Sequence, residues 1–298
     1  MSASENIVYD IITDSSANLP DGMITEYDLK ILPLEFIVDG VAYRSYTEGL
    51  ATDNKQFYEM MRQGKVVKTS QASPHDAEAL LRASFDAGRD VLYLGFDSAL
   101  SATYEAISAH MTNLQQEHYP ARALRCVDTL AAALGQGLFA VQAAKRRQAG
   151  ASLDEVADWA LAERLRFAHW FTVDDLHYLQ RGGRLSKGAA FAGTLLNIKP
   201  VLHVDEVGRL VPVSKVRSRK KSILALYESF KETAAQPVCE QSVYLSHGDC
   251  IEDAEYLAEL IRENHGVTDL VINDLDPVIG AHSGPGTLAL FFTTDAVR

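Results

Sequence analysis

No stretch of about 18 consecutive apolar residues occurs in the 298-residue chain, which excludes a membrane-spanning helix. The first residues, Met1 to Glu5, are polar and acidic and lack the basic and apolar regions of a signal peptide, so a cytoplasmic location is expected. Cysteine is scarce: Cys126, Cys239 and Cys250 fall at no metal-ligand spacing, and an odd, sparse set fits reduced thiols better than a disulfide framework. Among nine histidines there is no His-x-x-x-His pair, so no bound zinc or other metal is expected. Positive charge is also short. A net charge of -12 argues against nucleic acid or an anionic lipid surface as the main partner. Neither a Gly-x-Ser-x-Gly elbow nor a Walker loop is present. Gly135-Gln-Gly137-Leu-Phe-Ala140 has dinucleotide-fingerprint spacing but sits inside a helical run, where a true fingerprint joins a strand to a helix, and is set aside.

What is present describes a globular protein with a sizeable core, 47% apolar and 23% charged. Three units of the first half each read as strand, hydroxyl-bearing loop and helix. They begin at Ile7 to Thr13, Val91 to Phe96 and Ala123 to Val127, and their loops carry Ser15-Ser16, Ser98 to Thr103 and Asp128-Thr129. Short, nearly continuous apolar strands alternating with helices indicate a parallel sheet covered on both faces. Between the first two units, Asp39-Gly40 separates Ile31 to Val38 from Val41 to Tyr46, a strong hairpin signal that adds antiparallel strands to that sheet.

Past a turn and an acidic helix between Gly150 and Arg166 the grammar changes. Lys199 to Asp205 and Leu210 to Val216 form a second hairpin around Gly208, followed by a helix from about Ser218 and a strand over Ser242 to Ser246. A helix from Ile251 to Asn264 stops at Gly266, and strand Leu270 to Asn273, a glycine-rich loop and strand Thr287 to Thr293 complete the chain. The expected architecture is an α/β fold of two domains. An N-terminal parallel-sheet α/β domain with an added hairpin spans 1–165, and a smaller mixed-sheet α/β domain spans 166–298.

Ligands of open parallel sheets bind beyond the carboxyl ends of the strands, where the three hydroxyl loops lie. A fourth cluster, Lys68-Thr69-Ser70-Gln71-Ala72-Ser73-Pro74, precedes a helix starting near His75. Hydroxyls and free N–H groups at helix N-termini favour an anion such as a carboxylate or phosphate. They are also ordinary N-caps, and Ser73 before Pro74 reads simply as one. In Ile279 to Gly286, three glycines around His282 either let the backbone approach a ligand closely or merely turn the chain between strands. The segment Asp174 to Lys187 reads as a helix ended by glycine, with Arg181 and Arg184 favourable to its C-terminal dipole. The basic run Lys215 to Lys221 reads as a solvated hairpin end, though both basic clusters stand out against the acidic chain. His247-Gly248-Asp249 suggests acid–base work, but Asp249 is placed as a helix cap.

Taken in order, these segments resemble the DegV family of bacterial fatty-acid-binding proteins. The resemblance covers nearly the whole chain through Ile12-Thr-Asp-Ser-Ser-Ala-Asn-Leu-Pro20, Thr69-Ser-Gln-Ala-Ser-Pro74, Ser98-Ala-Leu-Ser-Ala-Thr-Tyr104, Asp128-Thr129, Arg181-Gly-Gly-Arg184, Lys199-Pro200, Arg217 with Lys220-Lys221, and Ile279-Gly-Ala-His-Ser-Gly-Pro-Gly286. It implies a long-chain fatty acid buried between two α/β domains, and no cofactor. The carboxylate would be held by the Thr69 and Ser101 hydroxyls with backbone help from Ser98 to Thr103. Ser70, Ser98 and Ser283 join the candidate set, and His282 and Arg217 would sit near the head group. Relatives present the acid to a separate ATP-dependent fatty acid kinase that makes an acyl phosphate, and Arg181 and Arg184 are candidates for the face meeting it. The chain departs from the family pattern at Ala99 and Ala102, where relatives usually have glycine. The resemblance therefore implies a lipid-binding carrier without activity alone. Competing readings are an enzyme acting on a small carboxylated or phosphorylated metabolite with His282 as acid or base, and a regulatory protein that senses lipid.

Overall fold

The computed structural model describes residues 8–50, 52–185 and 198–298. Met1 to Glu5, Ile7 and Ser186-Lys187, named above, lie outside them. In chain order the first half runs β1 (Tyr9–Asp14), α1 (Asp21–Glu26), β2 (Leu29–Leu32), β3 (Glu35–Val38), β4 (Val41–Arg44), α2 (Asn54–Arg62), β5 (Val67–Ser70), α3 (Pro74–Asp86), β6 (Asp90–Gly95), α4 (Thr103–His118), β7 (Leu124–Asp128) and α5 (Ala133–Gln148). The second half runs α6 (Leu153–Glu163), β8 (Phe167–Thr172), α7 (His177–Arg181), β9 (Ile198–Val204), β10 (Leu210–Arg217), α8 (Arg219–Thr233), β11 (Ser242–His247), α9 (Ile251–His265), β12 (Asp269–Asp274), α10 (Pro277–Ser283) and β13 (Leu288–Thr293).

A parallel sheet in the order β2-β1-β6-β7 is built from the apolar runs of the first half. Every residue of β1 is buried, as a strand covered on both faces requires. The Asp39-Gly40 hairpin forms, with positive φ at both residues (51° and 84°). It does not join the parallel sheet. Pro33 interrupts Ile31 to Val38: the part before it pairs with β1 as β2, and the part after it becomes β3 of a separate antiparallel sheet, β4-β3-β5. A proline lacks the N–H that would carry the ladder on.

The third sheet, β10-β9-β8-β13-β11-β12, is antiparallel except for its β11–β12 edge, which makes it mixed. Its strands come from residues 198–217, 167–172 and 242–293. Those of the other two come from 9–128. Helix α5 lies between the sheets, touching β1 on one side and β8, β11 and β13 on the other. Burial on both sides explains why it is Ala- and Gly-rich and shows little polar face. A Cβ at Gly137 would come within 2.5 Å of the Ala17 carbonyl oxygen, so Gly135-x-Gly137 is a close-packing device inside a helix.

Two expectations are corrected. Ile279 to Gly286 is largely helical: Asp276 accepts from Val278 N–H at 2.7 Å, Pro277 occupies the first turn, and Gly284 (φ 85°) ends α10. Asp249 caps nothing. It has φ 55° and pairs with Arg62, while Cys250 occupies the N-cap of α9 without a side-chain capping bond, its thiol donating instead to the Thr287 carbonyl at 3.3 Å.

Helix α10 is locked to α2 through Tyr58, fully buried, whose hydroxyl donates to the Leu275 carbonyl at 2.8 Å. A Cβ at Gly280 would stand 2.4 Å from that hydroxyl. Gly280→Ala is therefore expected to lower stability by about 1–3 kcal/mol through overpacking, despite alanine's better helix propensity. Urea unfolding checks this; a stabilised variant would mean that Tyr58 can move away.

Candidate functional site

Alternation along β13 and β8 separates two cores. Leu288, Leu290 and Phe292 pack with Ala168 under α8 and α9, whereas Ala289, Phe291 and Phe171 point the other way, into the principal core. On that second face the packing is incomplete. A cavity of about 100 Å³, partly open at its mouth, is walled by apolar side chains including Leu34, Phe96, Phe171, Leu179, Val278 and Ala289.

Polar groups gather on one part of the wall. Thr69 near the end of β5 and His282 on α10 meet with Oγ1 and Nε2 2.8 Å apart. Ser101 closes the α4 side, its hydroxyl donating to Thr103 Oγ1 at 2.9 Å and accepting from Thr103 N–H at 3.2 Å. Arg184, half-buried, lines the same cavity. Its Nε donates to the Leu100 carbonyl at 2.9 Å and its Nη1 to the Gly182 carbonyl at 2.6 Å, tying the loop before α4 to the loop after α7.

Burial, with a smaller contribution from the Arg184 and Arg181 charges, pushes the His282 imidazole down to about 4. At neutral pH it is an uncharged ring. Its Nδ1 has no hydrogen-bond partner among the described residues and lies against Gly182, where a Cβ would come within 2.3 Å. Hydroxyls, a neutral imidazole and a half-buried guanidinium beside an apolar cavity suit an anion carried on an apolar body.

The other expected residues are distributed unevenly. Ser70 and Ser283 line the cavity, but the Ser70 hydroxyl donates to Glu35 at 3.2 Å and that of Ser283 to the Ile279 carbonyl at 3.2 Å. Ser98 is off the wall; its N–H donates to Asp128 at 3.3 Å. Arg217 is exposed and lines a separate polar pocket with Arg62, Lys199, Arg219 and Asp249, so the structure does not bring it to Thr69 and His282. Arg181 is exposed, its guanidinium 4.9 Å from the Tyr178 ring centroid. Arg184, expected on a partner-facing surface, faces the cavity instead.

Two of the four hydroxyl clusters are structural. Ser15 bonds Ser45 at 2.7 Å, Ser16 bonds Gln136 at 2.5 Å, and Thr129 donates to the Gly95 carbonyl at 2.8 Å. Sequence reasoning passed over His169, which lines the cavity from β8; only the alternation of Phe167, His169 and Phe171 on one strand face signals it. Among the described residues no group of acidic, histidine or cysteine side chains could hold a metal, and no helix is long and apolar enough to cross a membrane.

A profile described as "uncharacterised protein, DegV family" matches residues 9–295. A DegV domain-containing protein of Clostridium perfringens is 40% identical over 285 residues, covering 96% of this chain and 97% of that protein. Among solved structures, a fatty-acid-binding DegV family protein from Streptococcus agalactiae superposes with a TM-score of 0.83 at 31% identity, over 98% of this chain and 100% of the other. The fatty-acid-binding DegV of Bacillus subtilis gives 0.82 at 27%, over 97% and 100%. This chain belongs to the DegV family.

Proposed function

We propose that this protein binds a long-chain fatty acid in the cavity and presents it to a separate ATP-dependent fatty acid kinase that forms an acyl phosphate. The observation that carries the reading is the pairing of an apolar cavity with the Thr69–His282 contact at its wall. Fatty-acid binding by relatives with the same fold supports it. Thr69, Ser101, His282 and Arg184 receive the carboxylate, and the acyl tail runs along β13 and β8.

The energetics divide accordingly. Burying a tail of some fifteen carbons offers on the order of 10 kcal/mol gross, at about 0.8 kcal/mol per methylene. Hydrogen bonds to the head group add roughly 1 kcal/mol each, somewhat more where charged. The tail supplies affinity and the head supplies orientation, leaving the carboxylate placed for a partner that brings the nucleotide. Arg181, exposed beside the head-group wall, is the residue offered to that partner. An acyl tail gains affinity from each apolar side chain of this wall, which a small polar metabolite does not.

Native mass spectrometry of the purified protein, before and after solvent extraction, tests this. About one fatty acid per chain is expected. His282→Ala and Thr69→Ala are each expected to weaken acid binding roughly tenfold, because each deletes a partner of a buried head group. A protein that neither carries nor takes up long-chain acids overturns the reading. Unchanged affinity in both variants overturns the site.

A further inference from the structure

Away from Thr69 and His282, His169 is a polar side chain of the cavity wall. Thr287, Ala289 and Phe291 line it from alternate positions of β13 and the residue before it, so the wall extends roughly 13 Å at about 3.3 Å per residue. Thr287 lies at the α10 end, where its hydroxyl donates to the Gly284 carbonyl at 2.7 Å. At the other end Phe291 is in register with His169 of β8, their rings edge to face at 5.2 Å.

His169 is 3% exposed. Its Nδ1 lies 2.8 Å from the Phe167 carbonyl and 3.0 Å from Nη1 of Arg298. A guanidinium only donates, so if Nδ1 accepts from Arg298 the ring proton sits on Nε2. If Nδ1 donates to Phe167 instead, Nε2 presents a lone pair. In either tautomer Nε2 is buried without a partner among the described residues, the costly situation for a polar atom. Residue 135 is glycine because its backbone packs against that edge of the ring, where a Cβ would sit 2.2 Å from Nε2, and His169 itself lines the cavity. Ala132 and Ala133, which also line the cavity, carry only methyl groups.

We propose that His169 is a specificity-determining residue whose Nε2 bonds a hydroxyl carried on the acyl chain remote from the carboxylate, so that the cavity prefers a hydroxylated acyl chain to an unsubstituted one. A hydroxyl both donates and accepts and therefore satisfies either tautomer. An unsubstituted chain leaves Nε2 unpaired and desolvated. The inference rests on the fatty-acid reading and deepens it.

The test is competition between stearic acid and hydroxystearic acids with the hydroxyl at successive mid-chain carbons, read by native mass spectrometry. At least one isomer is expected to outcompete stearic acid roughly tenfold on the wild type. His169→Leu is expected to erase that ratio while keeping stearic acid, and His169→Gln, which retains a donor and an acceptor, to restore part of it. A wild type that binds every hydroxylated isomer no better than stearic acid overturns the proposal without needing a variant. So does a preference that survives His169→Leu. Should no acid bind at all, the fatty-acid reading fails, and this inference with it.

Discussion

Ala289→Phe is expected to reduce affinity for a long-chain acid by about two orders of magnitude while leaving the ligand-free protein as stable as the wild type. Ala289 is buried on β13, between Phe171 of β8 and Ser246 of β11 in register, and its methyl faces the cavity. A benzyl group there occupies volume that the acyl tail needs. Displacing about four methylenes at 0.8 kcal/mol each forfeits roughly 3 kcal/mol, or some two hundredfold in affinity.

Phenylalanine in a filled core would cost about 1–3 kcal/mol by overpacking. Here the added ring enters empty space and gains contacts that the alanine wall lacks, which offsets that cost. Loss of binding without loss of melting temperature is thus the signature of a tail site, and it separates blockage from unfolding. A medium-chain acid, which ends before the obstruction, should keep most of its affinity. Isothermal titration with acids of graded length and a thermal melt give both readouts. Stearic acid bound at wild-type affinity would show that the tail does not run along β13.

The parts of this architecture visible in the sequence are those set by neighbours along the chain. β1 and β6 read as nearly continuous apolar runs because inner parallel strands are buried on both faces. α9 announces itself through Ala254, Leu257, Ala258 and Ile261 and stops at Gly266, which takes φ 69°. Pairing between distant segments left no such mark. Whether β3 extended the parallel sheet or formed another depended on β5, about thirty residues further on, although Pro33 was available as a clue. α10 looked like a loop because three glycines fall within eight residues. One of them, Gly280, is helical and small to admit Tyr58 from a different part of the chain.

The head-group site shows the same division. Thr69 and His282 are 213 positions apart, and no periodicity links them; only the ordered motifs of the resemblance put them together. Ser98 and Ser101 share one motif, yet the loop before α4 turns Ser101 to the cavity and the Ser98 N–H to Asp128. Arg184 read as a helix-end cation because its hydrogen bonds go to backbone carbonyls, Leu100 and Gly182, and sequence gives those no signature. His169 stayed hidden because a histidine inside an apolar strand is ordinarily a satisfied core residue.

The second large effect concerns pH. Asp97 is fully buried beside the loop that carries Ser101. One carboxyl oxygen accepts from Ala99 N–H at 2.8 Å, and the other has no partner among the described residues. Burial, opposed by the Ala99 hydrogen bond and reinforced by the neighbouring Asp128 charge, raises this carboxyl from 3.8 to about 8. Arg298 pulls the other way and Asp205 adds a further small push upward. The folded state therefore keeps a proton that the unfolded chain has already released, and the stability this confers is complete below about pH 4. It is lost as pH rises toward 8 and stays lost above that. A gap of about four pH units corresponds to roughly 5 kcal/mol as a ceiling. Asp97→Asn keeps an acceptor for Ala99 N–H and carries no charge at any pH, so its stability relative to wild type should climb by a few kcal/mol between pH 5 and 9. Taking the difference cancels other groups that titrate in this window, notably Asp276, which burial raises to about 7. Urea unfolding of both proteins across that range decides the matter: curves that diverge and then run level above pH 8 support the buried acid, and parallel curves show that Asp97 is ionised throughout.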